Sequence, residues 1–158
     1  MTVKEIKSAL LRKGWAGKTV SRKETAERLN PLIEAHVKLK LTYANLLSLL
    51  ASDSERQELE LFLKTLRLDV GKLTELVFSC GETAFNGTSL EPKSFKLTSD
   101  DPLSDLRECE LALREQLDAE RPVQHQIRTE AVLVRLRKNS DTRLSFIRKC
   151  VHRALTAA

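Results

Sequence analysis

The chain has 158 residues, the size of one domain, and at that length it can bury about 70% of its unfolded surface without help from a disulfide or a metal. With 41% hydrophobic, 31% charged and only 4% aromatic residues, five glycines and four prolines, it is neither collagen-like nor disordered nor all-β. The net charge of +5 is spread unevenly, with residues 1–23 at +6, 24–120 at −8 and 121–158 at +7.

Val3, Ile6 and Leu10 stand at helical spacing among Lys4, Lys7, Arg12 and Lys13, which predicts a short basic amphipathic helix over 3–13. Gly14, Gly17 and Thr19 interrupt it, so 14–23 reads as a linker and 1–23 as a basic N-terminal extension. The remainder, 24–158, is expected to be the folded domain.

The first long helix is predicted over about 25–50. Ile33, His36, Lys40, Tyr43, Leu47 and Leu50 step by 3, 4, 3, 4 and 3, and Leu32, Leu39 and Leu46 form a second row. A stripe that wide predicts burial on more than one side, in the centre of the fold or in a dimer interface. Pro31 belongs in or before a first turn, which puts the alternative start near Asn30. Ser52 with Glu55, and Ser54 with Gln57, are capping-box spacings that open a second helix over about 54–80. Its seam of Leu59, Leu63, Leu66, Val70, Leu73, Val77 and Cys80 is the most regular in the chain, and Gly81 is placed to cap it. The short connection between the two predicts an antiparallel pair.

Residues 81–101 hold two glycines, Pro92, Asn86 and several Ser and Thr, and read as a crossover loop pinned by Leu90, Phe95 and Leu97. Asp101-Pro102 is an N-cap followed by proline at the first helical position, so a third helix is predicted over about 102–120. A fourth runs over about 123–155. Asn139-Ser140 is the one place for a break, yet no Gly or Pro interrupts there and a single helix is preferred. Two helical hairpins joined by one long crossover make an all-α, antiparallel four-helix bundle of ferritin-like layout.

The chain resembles a family of uncharacterised bacterial ferritin-like proteins. The likeness rests on Leu29-Asn30-Pro31-Leu32-Ile33-Glu34 and Tyr43 in the first helix, on the second-helix seam, and on Asn139-Ser140-Asp141-Thr142-Arg143 in the last, and it covers roughly 25–150. The superfamily implies iron chemistry, which needs a Glu from each of two helices and a Glu-x-x-His from each of the others. Three positions before His36, His125 and His152 stand Ile33, Pro122 and Lys149, so no Glu-x-x-His exists and no metal or cofactor is expected.

Polar residues nevertheless interrupt the seams near mid-helix: His36, Lys40, Tyr43, Asp69, Glu110 and Glu130. They are candidates for a buried polar cluster in which Lys40 supplies the positive charge, because buried charges persist only when paired. The alternative is that each snorkels to the bundle edge. Cys80, Cys109 and Cys150 are odd in number, with no CxxC, which fits a reducing, cytoplasmic setting. Cys150, next to Lys149 and one turn from Arg153, is the thiol most favoured as thiolate, whereas Cys109 lies between Glu108 and Glu110. Asn86-Gly87-Thr88 reads as a turn. No apolar run approaches the ~20 residues of a membrane span or the core of a signal peptide.

No phosphate-binding glycine loop, GxSxG or HExxH is present, and Trp15 and the five phenylalanines do not interleave with basic residues. Three functions follow as expectations. The first is a non-enzymatic bundle that associates with itself or a protein partner through its first helix. The second is an atypical ferritin-like metal-binding protein. The third is a basic module that docks on nucleic acid or anionic membrane through 1–23 and 135–153.

Overall fold

The structure, a computed structural model, describes residues 19–50 and 52–157, with side chains as far as 152. The helix expected over 3–13 lies outside the described residues. Four α-helices and one short 3-10 turn are present, with no strand among the described residues: α1 (Arg22–Leu47), α2 (Asp53–Ser79), the 3-10 turn Pro92–Phe95, α3 (Pro102–Ala119) and α4 (Ile127–Ala157). No described helix is long and apolar enough to cross a membrane.

α1 begins earlier than Pro31 suggests. Ser21 Oγ accepts from the Glu24 amide at 3.1 Å and caps the helix, so Pro31 falls in its interior. Proline there removes the bond to the Glu27 carbonyl. Both Glu27 and Pro31 face solvent, so water can satisfy that carbonyl, while Leu29, Leu32 and Ile33 on the other face are buried and hold the helix together.

Ser52 Oγ accepts from the Glu55 amide and opens α2. At its far end the Gly81 amide donates to Phe78 O at 2.9 Å and the Glu82 amide to Val77 O at 3.3 Å. This Schellman closure needs a left-handed residue after Cys80, and Gly81 supplies it at φ 76°. The crossover then follows α1. Asn30 donates to Thr83 O at 3.0 Å and accepts from the Phe85 amide at 2.9 Å, and Asn45 donates to Pro92 O at 2.8 Å. The two asparagines are 15 residues apart, about 22 Å along the helix. Phe85, Leu90 and Leu97 pack on the core; Phe95, expected to help, is not among the packed side chains.

Asp101 Oδ1 accepts from the Ser104 amide at 3.2 Å, with Pro102 at the first position of α3. α4 starts at Ile127 rather than 123. Residues 120–126 form turns instead, with Val123 N donating to Glu120 O, His125 N to Val123 O, and Val20 N to Gln124 O. From there α4 continues through Asn139 without a break.

α1 packs against α2, α3 and the 3-10 turn, and α4 packs against α3 and α2. The wide stripe of α1 is therefore covered within the chain: Leu29, Leu32, Ile33, Leu39, Tyr43 and Leu46 are all buried. The core is mostly leucine, with one aromatic run in which Phe62 meets Tyr43 and Phe146 edge-on at 6.2 and 5.2 Å.

Candidate functional site

Each of the four helices contributes to one buried polar cluster. α4 brings Ser140 and Arg143 inward because its seam passes through them: Leu133, Leu136, Ser140, Arg143, Ile147 and Cys150 step by 3, 4, 3, 4 and 3, and all are buried. α1 adds His36 and Tyr43, two turns apart, and α3 adds Glu110.

Glu110 is the hub. One carboxylate oxygen accepts from the Tyr43 hydroxyl at 2.9 Å and from Arg143 Nε; the other accepts from Ser140 Oγ at 3.0 Å and Arg143 Nη2 at 3.4 Å. On the α2 side Asn139 Nδ2 donates to both oxygens of Asp69 at 3.0 and 3.2 Å, and Arg143 Nη1 lies 3.9 Å from Asp69 Oδ2. Arg143 is 1% exposed and Glu110 0%, so this is a charge pair shut away from water. Both oxygens of Glu110 are satisfied, and Arg143 donates to them from Nε and Nη2, while its buried Nη1 makes no hydrogen bond among the described residues.

His36 is also fully buried. A carbonyl only accepts, so the Nδ1–H donates to Leu32 O at 2.6 Å and Nε2 carries the lone pair, with no partner among the described residues. Burial, reinforced by the nearby Arg143 charge and only partly offset by the Leu32 bond, lowers its pKa to about 4. Burial raises Asp69, against the pull of Asn139 and Arg143, and burial with the adjacent Glu110 raises Tyr43 well above the phenol range.

Of the six residues singled out in the sequence, Tyr43, Asp69 and Glu110 are linked through Arg143, and His36 lies close enough to feel its charge. Lys40 is half-buried and makes no ion pair or hydrogen bond among the described residues. Glu130 sits elsewhere, 3.9 Å from Arg137 Nη1. The positive charge is Arg143, not lysine. The sequence signal that locates Arg143 is the seam register of α4 running straight through it. A second buried cluster lies at the α3–α4 turn, where His125 Nε2 donates to Glu120 Oε2 at 2.7 Å and Arg28 reaches the other oxygen at 3.5 Å.

Cys150 is 5% exposed and packs in the core. Cys109 is exposed, but burial of its sulfur and the surrounding Asp105, Glu110 and Glu108 push its thiol up. Neither setting favours a nucleophile. No group of three His, Cys, Asp or Glu side chains among the described residues is placed to hold a metal ion. The donor set does not fit a di-iron centre either: Glu110 is claimed by Arg143, Tyr43 and Ser140, and a guanidinium beside it repels a metal cation.

Fold and site together define an all-α, four-helix protein with a charged network at its centre. No family model, curated protein or solved structure matches the chain.

Proposed function

We propose that this chain is a non-enzymatic, ferritin-like helical bundle that works by association. The observation that carries this reading is the Arg143–Glu110 pair, which occupies the interior with a protein cation and leaves Glu110 no free lone pair for chemistry. The ferritin-like order is supported by contacts along α1. Arg28 meets Glu120 near the end of α3 and Tyr43 meets Glu110 near its middle, so α3 retraces α1 in the opposite sense. The crossover that runs beside α1 from Asn30 to Asn45 is the link such an order requires.

Because the α1 stripe is covered internally, a dimer or protein partner must use another surface. Among the exposed apolar side chains, Leu61 and Leu68, at 62% and 58% exposure, stand seven residues apart on one face of α2. The metal-binding alternative is disfavoured by the same ion pair. A reducing, cytoplasmic setting belongs to this reading, since the three cysteines form no disulfide.

Elemental analysis of protein expressed with iron and manganese supplied, and never exposed to a chelator, tests the non-metal part. Metal well below one atom per chain is expected, and a near-stoichiometric content would overturn it. Light-scattering mass in solution tests association. A dimer that Leu61→Ser with Leu68→Ser converts to monomer supports it, and a monomer at all concentrations removes self-association.

A further inference from the structure

The two acidic residues of α4 each lie against an arginine. Glu130 lies against Arg137, and Asp141 pairs with Arg114, which also donates to Arg137 O at 2.9 Å. Two of the helix's cations, Arg137 and Arg143, are buried. Of the exposed cations, Arg148 lies with Arg107 toward α3, and Arg128, Arg135, Lys138 and Lys149 share one face at separations of seven, three and eleven residues. Those separations keep all four within roughly 80° of arc on a helix of 3.6 residues per turn. None of the four makes an ion pair among the described residues.

Neighbouring chain extends this face. Lys72 of α2 and Arg135 both lie close enough to Asp69 for their charges to act on its carboxylate. At the Arg128 end the Val20 amide donates to Gln124 O, so the chain preceding α1 joins the fold four residues before Arg128. Arg22 and Lys23, which follow it, are exposed. At the other end Glu55, Glu58 and Asp141 line a groove of about 420 Å³ with Lys138 and Lys149 and reduce the positive field there. The strongest part of the face therefore runs from Arg128 to Lys138.

We infer that this face of α4 docks on the phosphate backbone of duplex nucleic acid. From Arg128 to Lys149 the stripe is about 32 Å long, close to the ~34 Å of one duplex turn. Unpaired cations on a rigid helix gain counterion-release energy from a line of phosphates, independent of sequence. A single-stranded partner needs rings to stack on, and Phe146, the aromatic residue of α4, is buried. An anionic membrane needs a broad apolar face to bury below the headgroups, whereas Ala131 and Thr142 interleave with the cations and the exposed apolar side chains, Ile127 and Val134, stand along one edge of the stripe. This inference is independent of the metal-free reading above, and its test does not measure metal.

The test is fluorescence anisotropy of a mixed-sequence 20-base-pair DNA duplex with the full chain, from 50 to 200 mM salt. Four phosphate contacts predict roughly 100-fold weaker binding across that range. The variant Arg128→Gln, Arg135→Gln, Lys138→Gln, Lys149→Gln should flatten the slope of log affinity against log salt by about 3 to 4. A control of equal net charge, Lys64→Gln, Arg67→Gln, Lys93→Gln, Lys96→Gln, should keep the wild-type slope; circular dichroism verifies that both variants are folded. Equal loss in both variants would show that overall charge, not this face, binds, and would overturn the assignment. No duplex binding at 50 mM salt overturns it as well. Binding to vesicles of 30% phosphatidylserine without binding to the duplex would overturn the partner class.

Discussion

Removing one member of the Arg143–Glu110 pair strands the other in a site of 1% exposure or less. Arg143→Met is therefore expected to cost about 3–5 kcal/mol of stability, read by urea denaturation. Arg143→Met combined with Glu110→Leu should recover most of that, because neither charge is left buried alone; a double variant no better than the single would contradict the pairing. His36 gives the interior a pH dependence with a definite sign. Its folded pKa of about 4 is below the unfolded 6.5, so the unfolded chain binds the extra proton between those values. Stability is complete above pH 6.5 and falls by as much as about 3 kcal/mol as pH drops toward 4. Asp69, whose folded pKa is raised, works in the opposite direction above its unfolded value of 3.8 and blunts the lower part of that window. Nuclear magnetic resonance of the His36 ring checks the first part, since a midpoint near 6.5 would mean that the ring is not enclosed as described.

At the level of elements, the tolerance of Pro31 in α1 separates propensity from packing. Proline inside a helix is about 3 kcal/mol worse than alanine, and its stiffness in the unfolded chain returns up to about 1 kcal/mol. Pro31→Ala should therefore stabilise the protein by up to about 2 kcal/mol, visible as a higher urea midpoint at unchanged slope. The crossover has its own tight point at Gly87, where φ is 73° and an added Cβ would stand 3.0 Å from Val37 Cγ1. Gly87→Ala combines a left-handed backbone cost of about 1–2 kcal/mol with that contact. It should lower the urea midpoint more than Gly81→Ala, where φ is 76° and nothing lies within 4 Å of the new methyl.

For the whole molecule, α1 is the element with most to lose, because α2, α3 and the crossover all rest on it. Amide hydrogen exchange should find the slowest protons in α1 between Ile33 and Leu46, exchanging only by global unfolding. Faster exchange there than in α4 would show that the two hairpins open separately. The charge layout also resolves at this scale. The acidic middle of the chain and the basic end meet through Arg143–Glu110, Arg143–Asp69 and Arg137–Asp118, which account for the buried cations. The cations on the outer face of α4 stay unmatched, and that imbalance makes the face distinct.

Much of this fold was legible from residue order. Ser52, Gly81 and Asp101-Pro102 marked helix ends because each satisfies or omits a specific backbone group, a local requirement that any tertiary setting leaves intact. The repeating leucines located α2, α3 and the core face of α1, since period alone decides which side chains share a face. Tyr43, Asp69 and Glu110 stood out as polar interruptions of those seams. What order could not decide was pairing. Whether the wide stripe of α1 met a second chain or the crossover depended on Asn30 and Asn45 catching a distant loop. Whether Lys40 or Arg143 neutralised Glu110 depended on the register of α4 against α3. Periodicity assigns a residue to a face, whereas only the packed helices determine which faces meet and at what height.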